Sequence, residues 1–128
     1  MNKKIIALAM AAHPDDIEFM MSGTLLLLKR AGAEIHICNL ANGCYGSQVY
    51  SKDEAARVRA LEAQASARLA GAVWHPSLFD DVGLFYDAPS LAKVTARSGR
   101  NQSSPVASHA SRKAWVLGVS LYGSRSRG

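Results

Sequence analysis

The chain has 128 residues, 48% of them hydrophobic, and a formal net charge of +5. That length excludes more than one ordinary domain, and the composition is that of a soluble globular chain rather than a disordered or fibrous one. No apolar stretch approaches the ~20 residues that span a bilayer, so no membrane span is expected.

The charge is unevenly placed. Through Val94 there are nine basic residues against ten acidic ones, a net of −1. From Thr95 onward Arg97, Arg100, Arg112, Lys113, Arg125 and Arg127 meet no Asp or Glu, a net of +6. Two compositions are therefore joined near residue 95. At the other end, Lys3-Lys4 before IIALAMAA resembles a short signal peptide, with Ala9-Met10-Ala11 as a cleavage site. The apolar part is only eight residues, and Ile5, Ile6 and Leu8 suit the buried first strand of an α/β domain, which is the reading adopted. Cys38 and Cys44 form no metal or redox pattern; they fit a reducing compartment, so a cytoplasmic location is expected.

Residues 4–12 read as a fully buried strand that stops at His13-Pro14-Asp15-Asp16. Ser22-Gly23-Thr24 can open a helix with Ser22 as N-cap, running through Leu25–Arg30 to a stop at Gly32. "EIHICNL" (34–40) alternates like a second strand, and "ANGCYGS" (41–47) is a glycine-bearing loop. Ser51-Lys52-Asp53-Glu54 is a capping box, and Val58, Leu61, Ala65 and Leu69 follow at helical spacing, which predicts a helix over 52–70 ended by Gly71. Residues 72–79 return to an extended pattern, and Pro89–Val94 starts a further helix. This alternation implies a parallel sheet with right-handed crossovers, whose ligands bind beyond the carboxyl ends of the strands. His13, the 41–47 loop and Asp80-Asp81 fall at that edge.

The tetrad HPDD suits metal-assisted hydrolysis. Imidazole nitrogen and carboxylate oxygen are both zinc donors, and the proline stiffens the turn that holds them. Of two adjacent aspartates, one can coordinate while its neighbour takes a proton from water. The same four residues also make an ordinary turn, since Pro-Asp is common in turns; the place at the end of the first buried strand favours the site.

At this point the sequence resembles a known family. "AHPDDIEFMMSGTLLLLKRAGAEIHICNLANGCYGS" is similar to the N-terminal part of the PIG-L/LmbE-like zinc N-deacetylases, and the likeness continues through "RALEAQASARLAG" and "DVGLFYD", covering about residues 4–94. The resemblance implies an α/β, Rossmann-like parallel sheet with flanking helices, present here as an incomplete, N-terminal portion (1–94) of the family domain. It implies hydrolysis of an N-acetyl group on an N-acetylglucosamine-type amino sugar or conjugate, so the expected partner is a small amino-sugar molecule. It further implies zinc held by His13 and Asp16, Asp15 as general base, and Arg59 as a substrate contact. Asn42-Gly43 and Gly46 match a site-edge loop, although a simple turn explains them as well.

The family takes a third zinc ligand from a downstream histidine motif, and nothing after Val94 resembles it. His36 reads as a packed or edge residue of the second strand; His75, in "VWHPS", and His109, in "VASHASRK", are weak substitutes. A two-ligand half-site is therefore expected, with impaired activity. The alternative is an inactive, truncated or frame-disrupted fragment of such an enzyme. Residues 95–128 read as a basic Ser/Arg/Gly-rich tail, aberrant or disordered, with a short apolar run at Trp115–Tyr122. Nucleic-acid binding through that tail is a lesser alternative without a recognisable module, and no specific nucleic-acid partner is expected. Dinucleotide binding is disfavoured because the first turn has no G-x-G-x-x-G. A sheet lacking its later strands would leave apolar surface uncovered and open to association.

Overall fold

Six consecutive apolar residues form strand β1 (Ile6–Ala11), and all six are buried. A strand paired on both edges and covered on both faces has no need of polar alternation. β1 runs parallel to β2 (Glu34–Asn39), in a register that sets Ile6 beside Glu34 and Ala11 beside Asn39. On its other edge it runs parallel to a strand at Ala114–Leu117, in a register that sets Ile6 beside Ala114. The short β3 (Val73–His75) pairs parallel with β2. With β4 denoting Ala114–Leu117, the sheet order is β3-β2-β1-β4. The computed structural model describes residues 5–98 and 114–117. Lys3-Lys4, His109, Tyr122 and most of the tail expected from residue 95 lie outside the described residues. Thr95–Ser98 and β4 are the parts of that region that are described.

Helices cover both faces. Ala7, Ala9 and Ala11 of β1 and Ile35 and Ile37 of β2 pack with Ile17 and Leu25 of α1 (Asp16–Arg30) and Ala67 of α2 (Lys52–Leu69). On the opposite face Leu8, Met10, Cys38 and Leu40 pack with Leu78, Leu84 and Val94, the last from α3 (Ala88–Arg97). The alternation of small alanines and large side chains along β1 thus gives one face to two helices and the other to α3. Burial on that second face pushes the Cys38 thiol up to about 11.

Local signals were reliable where they were redundant. The capping box forms in full: the Glu54 N–H donates to the Ser51 hydroxyl, and the Ser51 N–H donates to the Glu54 carboxylate. The start of α1 is different from the expectation at Ser22. It begins at Asp16, directly after a left-handed Asp15, and carries Ser22 and Gly23 exposed in mid-helix. A mid-helix glycine costs about 1 kcal/mol relative to alanine. Burying Ile17 and Leu25 on one helical face outweighs that. The start of α3 carries a cap the pattern did not reveal: the Asp87 carboxylate accepts from the Ser90 N–H at 2.8 Å. Phe19, Met20 and Leu27 on the outer side of α1 are exposed, an apolar stripe of the kind that favours association.

His36 is buried, as expected of a packed strand residue, and stacks on His75 with ring centroids 5.1 Å apart. His36 Nε2 lies 2.8 Å from Glu34 Oε1, and His36 Nδ1 lies 2.8 Å from His75 Nε2. The His36 ring thus bridges Glu34 and His75. Burial, then the neighbouring His36 and Arg97, pull the His75 pKa down to about 4. Its unfolded value is near 6.5. Between these values the unfolded chain binds a proton that the folded chain refuses, so stability falls as pH drops through that window and levels off below it. The expected loss is about 2 kcal/mol, allowing for partial exposure. Urea midpoints at pH 7, 5.5 and 4 should show it, and the difference between His75→Gln and the unaltered chain should isolate it from carboxylate titration.

Candidate active site

The carboxyl ends of β1 and β2 meet at the HPDD turn. Beyond the last paired residues, the Leu40 and Ala41 N–H groups donate to the carbonyls of Ala11 and Ala12 at 2.8 and 2.7 Å. The Asn39 side-chain amide donates to the His13 carbonyl, tying the turn to β2. The His13 N–H donates to Asp16 Oδ2 at 2.8 Å, and the Asp16 N–H returns to the His13 carbonyl at 3.3 Å. Asp15 has φ 95°, a left-handed conformation that Asp and Asn tolerate better than most residues. Strain of this kind, about 1–3 kcal/mol, persists only where neighbours enforce it. The start of α1 places its positive dipole end at these two carboxylates.

The turn sets His13 Nδ1 3.7 Å from Asp16 Oδ2, with the imidazole half-exposed. Two donors each about 2.0–2.2 Å from a tetrahedral zinc stand about 3.3–3.6 Å apart. The pair therefore fits two corners of such a site after a shift of a few tenths of an ångström. Among the described residues no group of three or more His, Cys, Asp and Glu side chains is placed to hold a metal ion. His75, weighed as a substitute ligand, is engaged with His36 instead.

Arg59 reaches the turn from α2. Its Nη2 donates to the Pro14 carbonyl at 2.8 Å and to Asp15 Oδ2 at 2.9 Å. The Asp15 carboxylate raises the guanidinium pKa above its usual value, and Glu62, 3.4 Å from Nη1, adds to this. Here Arg59 is bound to the turn itself, one-third exposed. Gly43 makes room for it: a Cβ there would sit 3.2 Å from Arg59 Cγ and 3.4 Å from Pro14 Cδ, and its φ of 75° suits glycine.

The 41–47 loop is gripped from both sides by Asp80 and Asp81. Asp80 accepts from the Asn42 side chain at 2.7 Å and pairs with Lys52 at 2.7 Å, contacts that hold its carboxyl below the usual range. Asp81 turns inward, where Oδ1 accepts from the Gly43 N–H at 2.8 Å and Oδ2 from the Tyr45 N–H at 2.9 Å. Its Oδ1 also lies 3.9 Å from His13 Nε2. The structure thus gathers His13, Asp15, Asp16, Arg59 and the 42–46 loop at one sheet edge and adds Asp81. The Asp80-Asp81 doublet at that edge was the only signal for it, and nothing in the doublet says which carboxylate faces inward.

No curated protein matches the chain. Among solved structures it is similar to an N,N'-diacetylchitobiose deacetylase from Pyrococcus horikoshii, at 28% identity and TM-score 0.69, over 76% of this chain and 38% of that one. A conserved protein of Thermus thermophilus matches at 30% identity and TM-score 0.56, over 71% of this chain and 41% of that one. A 4-carboxy-2-hydroxymuconate hydratase from Pseudomonas putida, at 23% identity and TM-score 0.61, shares the fold over 73% of this chain and 43% of that one. The chain thus spans about two-fifths of the length of these structures. Among the described residues no helix is long and apolar enough to cross a membrane. The PIG-L model, described as GlcNAc-PI de-N-acetylase, matches residues 8–111, a stretch that takes in most of β1, the HPDD turn, the 41–47 loop and Arg59, and the chain belongs to that family.

Proposed function

We propose that the chain carries the water-activating part of a metal-dependent N-deacetylase acting on an N-acetylglucosamine-type amino sugar or conjugate. One observation carries this reading: a single short turn holds the His13–Asp16 donor pair and also bears Asp15, whose carboxylate is braced by Arg59. Family membership and the likeness to a diacetylchitobiose deacetylase support it.

His13 and Asp16 would hold the metal; no third ligand stands with them among the described residues. Zinc bound there would polarise the acetamide carbonyl and lower the pKa of water. Asp15 accepts the proton of the attacking water. Arg59 engages its Oδ2, which leaves Oδ1 as the basic oxygen. The amide C–N bond then breaks, and the proton passes to the amine, so that acetate and a free amino sugar are released. Arg59, pulled partly towards the turn, would also present a donor edge to a substrate hydroxyl. The free thiols of Cys38 and Cys44 support a cytoplasmic setting. In this reading residues 1–94 are the N-terminal part of the deacetylase domain and 95–128 a basic tail, although α3 runs on to Arg97 and Ala114–Leu117 joins the sheet beside β1.

A second reading is favoured by the donor count. With two candidate metal donors at the turn among the described residues, the chain would bind metal weakly and have no catalysis of its own. Elemental analysis of zinc, together with acetate release from an N-acetylglucosamine compound, separates the two. Stoichiometric zinc with acetate release supports the first, and the absence of acetate release supports the second.

A further inference from the structure

We propose that Tyr45 determines substrate specificity: its ring is a stacking platform at the rim of the site for the sugar ring joined to the N-acetylated one, which makes a disaccharide or longer conjugate the preferred substrate class. The identity of the N-acetylated ring rests on the deacetylase reading above; the exposure and fixing of Tyr45 do not.

The loop that carries Tyr45 is held on its inner side and presents an aromatic ring on its outer side. Cys44 is buried, and its N–H donates to the Asn42 side chain at 3.1 Å. The Tyr45 N–H donates to Asp81 Oδ2 at 2.9 Å, and Oδ1 of the same carboxylate lies 3.9 Å from His13 Nε2. The width of one carboxylate therefore separates the Tyr45 backbone from the imidazole of the HPDD turn. Tyr45 is nevertheless 61% exposed.

The ring is fixed as well as exposed. Lys52 Nζ, from the first turn of α2, lies 5.3 Å from the ring centroid, where the negative aromatic face attracts the ammonium. The same ammonium pairs with Asp80 Oδ2 at 2.7 Å, so Asp81 holds the backbone of Tyr45 and Asp80 steadies the cation on its ring. The residue after Asp81 points the same way. Val82 has φ 62°, which a β-branched residue adopts only under constraint, and it is 80% exposed, so no burial offsets the strain. Two apolar side chains thus stand in solvent at residues tied to the Asp81 carboxylate.

A pyranose ring matches such a rim. Its C–H face is apolar and packs on an aromatic ring, while its hydroxyls at the edge keep their water or meet polar neighbours. The reacting acetamide must reach the His13–Asp16 pair, which sets its own sugar against the turn. Asp81 stands between that turn and Tyr45, so the platform meets the next ring.

The test uses the full chain without added metal, so that binding is read without turnover. N,N'-diacetylchitobiose should shift the Tyr45 ring resonances and bind about tenfold more tightly than N-acetylglucosamine. Tyr45→Ala should abolish that advantage, and Tyr45→Phe should keep it, since the ring and not the hydroxyl does the stacking. An advantage that survives in Tyr45→Ala overturns the proposal. So does a disaccharide that binds no better than the monosaccharide, or one that leaves the Tyr45 ring unshifted, and both are read in the unaltered chain. Ring resonances that move on dilution and not on addition of the disaccharide mark a contact between copies of the chain and also overturn it. Acetate release with added zinc examines the deacetylase reading separately. Disaccharide binding on Tyr45 without acetate release sinks that reading and leaves the platform standing.

Discussion

Asp15→Asn is expected to lower acetate release by about 10²–10⁴-fold, the usual contribution of a positioned general base. The substitution isolates the proton-accepting function for two reasons. Asparagine is isosteric and tolerates the left-handed φ of 95° at this position, so the start of α1 should be preserved. Its amide oxygen can still accept from Arg59 Nη2, which retains part of the brace. What is lost is a carboxylate able to take a proton. The rate should be read with saturating N-acetylated substrate and added zinc, beside circular dichroism to establish that the fold is intact. Equal rates in the two chains would remove Asp15 from the chemistry and with it the reading of the turn as a hydrolytic centre.

Leu8→Ala should destabilise the fold by about 2–5 kcal/mol, the range for emptying a leucine site in a packed core. Leu8 is 0% exposed and lies on the central strand, where it packs with Met10, Cys38 and Leu40 below Val94 of α3. β1 is paired on both edges, so the strand cannot collapse into the space without disturbing β2 or β4. Leu69→Ala is the control. That side chain is 91% exposed at the end of α2, and its loss should change stability by less than about 0.5 kcal/mol. Urea unfolding of both variants supplies the comparison; equal midpoints would mean that the interior around Leu8 is not the cooperative core. A domain with a total stability of about 5–15 kcal/mol would lose a large share of it through that one change.

Much of this protein can be read from the order of its residues alone. An unbroken apolar run of this length suits a strand covered on both faces better than the hydrophobic part of a signal peptide, and Ile6–Ala11 is such a strand. The Ser51–Glu54 capping box left little choice for the start of α2, because both ends of a local hydrogen-bond pattern lie within four residues, whereas the face that packs is Ala55, Ala63 and Ala67, and Leu61 and Leu69 of the expected apolar spacing are exposed. His13, Asp15 and Asp16 were legible as candidate chemistry for the same reason, being neighbours in sequence.

What lies between distant residues was decided by tertiary structure. Ser22 had the chemistry of a cap and became an exposed mid-helix residue, because the burial of Ile17 and Leu25 extended α1 back to the turn. Arg59 was read as a substrate contact, and the fold sets it against Asp15, 44 residues away in the chain. Asp80 and Asp81 are chemically identical, yet one pairs with Lys52 at the surface while the other carries two loop amides and faces His13. The physical reason is the same in each case. Hydrophobic periodicity and capping act over a few residues and can be seen in the sequence, whereas the direction of a carboxylate or guanidinium depends on which partners the packed sheet brings within about 3 Å.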